Sequence, residues 1–474
     1  MKSAVLSVFA AGALVALVAL VGTGGRAPAP ALARGHRGIS TSAGFAIPLT
    51  SSFIFMKPDR SALFGYAFLM GVTAIPSTAP PQLLLVDTGS STLAFCNSSL
   101  AAPFANQHIS IMGGRPISSC TSYGTVSLPQ GFYGEYFAAE LRVSTTAADV
   151  SLPGGPFDVV FMQEEVGLPC STGTGWVTYD GAALGVPNPD PPPVPPGPRC
   201  SRPEDLANCR AASSYVTNGQ SPFSQSLASG QASANHFSLW WSGAVGPGEA
   251  ILYTGDKATS NEHYAVDRLV GPVKTTVGGE YCLPELTGFE IVSTIPPIPP
   301  IPPIPPIPPI PPIPPIPPII PGSVLPPTLI TAQFPFQFEF TDENLQLGNA
   351  IVDTGNPVLA LPDAVYDAVA STSPDSTLNV LIGDVKLGFS IRVLQDLIEL
   401  QATYPAPKPG EVTDRIVGTS SWQYGQGQDQ HFVFGSPGWL FYDLVVHDRA
   451  VGTISFVAKE KPAAPSVLPA ELVH

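Results

Sequence analysis

The chain has 474 residues, a formal net charge of −15, only 12% charged residues and a mean hydropathy of +0.22. That length can bury a large core and accommodates two or three compact units. The acidic balance offers no basic stripe to read phosphates, so no nucleic-acid partner is expected.

From the N-terminus, Lys2 is followed by an apolar stretch over residues 4–22 and then by a Pro/Ala-rich segment ending Ala31-Leu32-Ala33, the small-x-small pattern of a signal-peptidase site. Residues 1–33 are therefore expected to be a removed secretory signal, leaving a secreted protein. The alternative is retention of residues 4–22 as a membrane anchor, since about 20 apolar residues span a bilayer. Cys96, Cys120, Cys170, Cys200, Cys209 and Cys282 are an even set in an exported chain, which favours three disulfides. Their pairing stays open: Cys200 with Cys209 would close a short loop, and Cys96 with Cys120 would tie two neighbouring segments. There is no Cys-x-x-Cys and the histidines are scattered, so no metal site is expected.

Beyond Gly44, short Val/Ile/Phe/Thr-rich runs broken by Gly, Pro and Ser dominate, which is the texture of a mainly β protein. The best short-helix candidates are Ser221 to Ser229 and Asp363 to Ala370. Trp240-Trp241 is expected to pack in the core, and Asn97-Ser98-Ser99 is an N-glycosylation acceptor sequence if the host is a eukaryote. Pro187 to Pro198 is a proline-rich loop. Ile295 to Pro318 is eight consecutive Ile-Pro-Pro triplets, which form neither sheet nor α-helix because proline lacks the N–H and clashes in a helix interior. It is expected to interrupt a hairpin, between a strand near Gly288 to Val292 and the strand leading to Asp353. Residues 458–474 are expected to be a disordered tail.

Two segments carry the chemistry. Val86-Asp87-Thr88-Gly89-Ser90-Ser91 and Val352-Asp353-Thr354-Gly355-Asn356 each follow an apolar run, Leu83-Leu84-Leu85 in one case and Ala350-Ile351 in the other. Each is expected to be a buried strand that delivers a carboxylate into a tight glycine turn. One copy would mean little. Two copies, with their acids 266 positions apart, suggest two similar lobes, residues 34–250 and 251–457, that each give one aspartate to a shared site. Carboxylates that close cannot both ionise, so one keeps its proton while the other stays anionic, which places an acid and a base together.

With these turns, the chain from about Gly44 to Val457 resembles the pepsin-like aspartic proteases. Ser122-Tyr123-Gly124-Thr125-Val126-Ser127 looks like that family's flap, whose tyrosine folds over bound peptide. Tyr179-Asp180-Gly181-Ala182-Ala183-Leu184-Gly185 is similar to the segment bracing the first aspartate, and Val433-Phe434-Gly435 with Phe441 to Val446 looks like its partner in the second lobe. The resemblance implies a bilobal β fold with the active cleft between the lobes, and a secreted, monomeric endopeptidase with no cofactor, acting on peptide or protein at acidic pH. It implies that Asp87 and Asp353 activate one water, that Thr88 and Thr354 cross-link the two turns, and that Gly89, Ser90, Gly355 and Asn356 support the acids. Tyr123 and Gly124 would form the substrate-binding flap. Three positions depart from the pattern: Ala94 where the family usually has Trp, Asn356-Pro357 after the second turn, and Ser436 where an acid is common. The Asn356 amide could donate to Asp353 as a hydroxyl would. The rival readings are a catalytically inactive pepsin-fold protein that binds peptides, and a surface protein whose business is the proline rod.

Overall fold

The computed structural model describes residues 44–55, 63–77, 81–88, 92–95, 103–104, 106–107, 117–124, 129–144, 149–166, 180–183, 215–216, 222, 225–226, 236–278, 281–293, 337–341, 345, 347–402, 416–419, 430–448 and 451–460, all within the unit Thr41–His474. The expected signal or anchor, the loop at 187–198, the Ile-Pro-Pro insert, Asn97 and the side chains of all six cysteines lie outside them. Among the described residues no helix is long and apolar enough to cross a membrane.

The protein is mainly β, as its short apolar runs predict. Its backbone is an antiparallel ladder in the order Leu63–Ile75, Ala46–Phe55, Gly246–Thr254, His236–Trp241, Tyr442–Asp448, Thr453–Ala458 and Leu269–Gly278. A strand from the middle of the sequence meets one from its last tenth in it, with Ser238 opposite Val446. Its core holds two fully buried tryptophans. The Trp241 ring lies 5.0 Å from Tyr66 and 5.4 Å from Phe68, while Trp439 lies 5.8 Å from Phe68. Each indole N–H finds a carbonyl, Ala244 at 2.7 Å and Leu239 at 2.9 Å, so burial leaves no donor unpaired. Trp240 is half-buried, stacks on His263 at 4.0 Å and packs against the smaller cluster of Tyr253, Leu444, Val446 and Val457, so Trp240 and Trp241 both pack in the core, Trp241 the more deeply.

Each aspartate sits at the end of a parallel strand pair. Gln82–Asp87 runs antiparallel to Leu63–Ile75 and parallel to Asp180–Ala183, with Asp87 opposite Ala183. Leu347–Val352 runs parallel to Gln430–Phe434, with Val352 opposite Phe434. Strands covered on both faces need continuous apolar runs, which is why Leu84, Leu85 and Val86 are all buried.

A second sheet orders Gln337–Phe340, Leu286–Ser293, Ser376–Ile382 and Val385–Ser390. Burial alternates along Ser376–Ile382, as a strand with one face in the core requires. Val292 pairs with Gln337, so residues 294–336, which contain the insert, join two strands of one hairpin. The outgoing strand is thus Gln337–Phe340; Leu347–Val352, the strand leading to Asp353, comes later.

The helix at Asp363–Ser371 matches expectation to within a residue, and residues 222, 225 and 226 are helical inside the other candidate. A third, Ile391–Ala402, was not expected from the sequence. It begins after Ser390, whose hydroxyl accepts from the Val393 N–H at 3.5 Å, and it buries Ile391, Leu394 and Leu397. The tail boundary expected at residue 458 is too early. Ala458 closes a strand, and Lys459 donates from Nζ to the Trp241 carbonyl and to Asp443, both at 3.0 Å. Ionic pairing of Asp443 with Arg268 as well as Lys459 holds this end of the chain in place.

Candidate active site

The two aspartate turns meet. Thr88 and Thr354 are 5% and 1% exposed, and each threonine serves the other's turn. The Thr88 N–H donates to Thr354 Oγ1 and the Thr354 N–H donates to Thr88 Oγ1, both at 3.0 Å. The hydroxyls then donate onward across the same junction, Thr88 Oγ1 to the Val352 carbonyl at 3.1 Å and Thr354 Oγ1 to the Val86 carbonyl at 2.6 Å. Four reciprocal bonds between segments this distant in sequence fix the relative position of the two strand ends that carry Asp87 and Asp353.

Asp87 and Asp353 are both half-buried, and their carboxyl groups are hydrogen-bonded to each other. An added Cβ on Gly355 would stand 2.4 Å from Asp87 Cγ, so the second glycine is what admits the first acid. The Gly355 N–H donates to Asp353 Oδ1 at 2.9 Å. Burial first, then the charge of Asp87 and the bond between the carboxyls, hold the Asp353 carboxyl well above the ordinary carboxylate range; the backbone N–H groups of Gly355 and Asn356 oppose that rise. A hydrogen bond between two carboxyls needs a proton on one of them. The pair can therefore both donate and accept a proton at one place.

The Asn356 backbone N–H donates to the Asp353 backbone carbonyl at 3.2 Å and favours the ionised form of its carboxyl. The Asn356 side-chain oxygen accepts from the Val358 N–H at 3.0 Å. Gly89 and Ser90 lie outside the described residues. Tyr123 and Gly124 end the strand Ile117–Gly124, which forms a hairpin with Pro129–Ser144 in which Tyr123 faces Gln130. The Tyr123 side chain is outside the described residues. Tyr136, on the returning strand, is buried in the core at 2% exposure. Ala94 is fully buried and pairs with Val160. Among the described residues no group of His, Cys, Asp and Glu could hold a metal ion.

A contact that sequence reasoning missed lies between Gly65 and Pro357. A Cβ on Gly65 would stand 2.0 Å from the Pro357 carbonyl oxygen, so a bare glycine lets the second aspartate's loop rest on the strand Leu63–Ile75. Its trace in the sequence is a glycine set between the aromatic residues Phe64 and Tyr66 inside a strand.

No protein-family model and no curated protein matches this chain. Among solved structures, the crystal structure of the aspartic proteinase from Irpex lacteus is similar over 90% of this chain and 100% of that one, with a TM-score of 0.47 and 13% sequence identity. What bears on the chemistry is the pair itself: two acids, each at the end of a parallel strand pair, brought together over a cross-linked floor.

Proposed function

We propose that this chain is a secreted aspartic endopeptidase that hydrolyses peptide bonds through a water activated by Asp87 and Asp353. The observation that carries the reading is the meeting of the two aspartate turns, cross-linked through Thr88 and Thr354 and so close that the bare Gly355 makes room for the Asp87 carboxyl; burial and the neighbouring acid raise the Asp353 carboxyl there. In the productive state Asp87, as carboxylate, takes a proton from the attacking water while Asp353 gives its proton to the carbonyl oxygen of the scissile bond. The tetrahedral intermediate then collapses as the amine leaves with a proton from the dyad. This chemistry uses general acid and base alone. The hairpin ending at Tyr123 would close over the peptide, and apolar walls would select its side chains. Export is supported by the residues 1–33 pattern, and a monomer acting on peptide or protein is the simplest form of such an enzyme.

Asp87→Asn and Asp353→Asn test the reading. Each swap is close to isosteric and removes one member of the pair, so hydrolysis of an unfolded protein should fall by several orders of magnitude while circular dichroism stays unchanged. Wild-type activity should follow a bell on the acidic side of neutrality, because it needs one proton shared by the two carboxyls. Near-wild-type turnover in either purified variant would remove the dyad from the mechanism.

A further inference from the structure

Thr88 and Thr354 hold the floor of the dyad, but the outer side of the Asp353 turn is held by different residues. Asn356, Pro357 and Val358 run between two glycines. On one side Gly65 lies under Pro357; on the other, a Cβ on Gly435 would stand 2.0 Å from the Val358 carbonyl oxygen and 2.6 Å from that of Asn356. Ser436, fully buried, bonds in both directions. Its N–H donates to the Asn356 carbonyl at 2.8 Å, and its hydroxyl donates to the Tyr66 carbonyl at 2.7 Å, 370 positions away in sequence. One small residue, through its backbone N–H on one side and its hydroxyl on the other, therefore ties the loop after Asp353 to a strand that belongs with Asp87.

We propose that Ser436 is a positioning residue for Asp353, pinning the Asn356–Val358 backbone against the strand Leu63–Ile75 so that the second acid keeps its register with the first. The kinetic part of this role rests on the peptidase reading above. A carboxylate at this position would point an anion at the Tyr66 carbonyl, and an alanine would leave that carbonyl without its buried donor. The hydroxyl fits because it is short, neutral and able to donate. The Asn356 N–H donates to the Asp353 backbone carbonyl at 3.2 Å, closing the turn that holds the acid, and with the Gly355 N–H it favours the ionised form of Asp353; the titratable group facing Asp353 is Asp87. A loosened Asn356 would withdraw part of that support, so the proton would stay on Asp353 to higher pH.

The test compares wild type, Ser436→Ala and Ser436→Cys in peptide hydrolysis across pH, alongside titration of the aspartate carboxyls by carbon-13 NMR. Small misplacements of a reacting group cost rate more than binding, so Ser436→Ala should lower kcat about ten-fold with KM within about two-fold. Its basic limb should move to higher pH, and the Asp353 carboxyl titration should move the same way. Ser436→Cys, close in size with a weaker donor, should fall between the two, and it carries the test if the alanine variant does not fold. A variant with a lower melting temperature but wild-type kcat, pH profile and carboxyl titration would overturn the proposal and leave Ser436 a packing residue. If wild type hydrolyses no peptide, the peptidase reading fails on its own; the carboxyl titration still decides whether Ser436 positions Asp353, with coincident curves overturning it.

Discussion

At Thr354 a single hydroxyl both donates to the Val86 carbonyl and accepts from the Thr88 N–H in a site 1% exposed. Valine has nearly the same shape and neither function, so Thr354→Val strands two buried backbone groups at the junction of the aspartate turns. Each costs about 1–3 kcal/mol, so a loss of about 3 kcal/mol is expected in chemical denaturation, against less than about 1 kcal/mol for Thr354→Ser. A valine variant within about 0.5 kcal/mol of wild type would show that the cross-link does not hold the fold together. Asp87, Thr88, Asp353, Thr354 and Gly355 were legible in the sequence because the same short pattern recurs behind two apolar runs. The partners of Ser436 and Gly65 were not. Those contacts join residues hundreds of positions apart, and neither a buried serine nor a lone glycine announces what it will touch.

Among the elements, the strands that carry the acids were readable because burial on both faces forces continuous apolar runs, as at Leu84 to Val86. The helix Ile391–Ala402 was missed although its pattern, with Ile391, Leu394 and Leu397 buried at spacing three, is written in the chain. Its β-branched start directly after Val385–Ser390 blends into the strand before it, and the Ser390 cap is a weak signal alone. The incoming strand of the hairpin around the Ile-Pro-Pro repeat was readable from the sequence, whereas the outgoing one, Gln337–Phe340, comes before the expected strand leading to Asp353. The hairpin's register, Phe289 opposite Phe340 and Val292 opposite Gln337, belongs to the strands themselves, which the rest of the sheet already holds through Ser376–Ile382. Deleting Ile298 to Pro315 shortens the connection by less than half, a change of about 0.5 kcal/mol in closure entropy. Short-peptide hydrolysis should stay within about two-fold of wild type and the melting temperature nearly unchanged. A large loss of either would mean that the repeat contributes to the fold of the catalytic body.

For the molecule as a whole, the dyad links function to stability through pH. Because Asp353 in the folded protein holds its proton above the ordinary carboxylate range, its contribution is fully present in acid. It is lost as pH rises through the raised folded value. Asp158, raised by burial, acts in the same direction. His263, lowered mainly by burial, and Glu262, lowered chiefly by a backbone hydrogen bond, act in the opposite one, and the net charge of −15 adds self-repulsion toward neutrality. The raw dependence of melting temperature on pH therefore mixes several groups, but the difference between wild type and Asp353→Asn isolates one. Asparagine stays neutral throughout, whereas ionising Asp353 in the wild type sets a second buried charge against Asp87. The two melting curves should converge in acid and separate as pH rises, with wild type the less stable by up to about 1.4 kcal/mol for each pH unit between the unfolded and folded midpoints. Parallel curves from pH 3 to pH 7 would show that the pair does not share a proton in the folded state, and the acid half of the proposed mechanism would go with it.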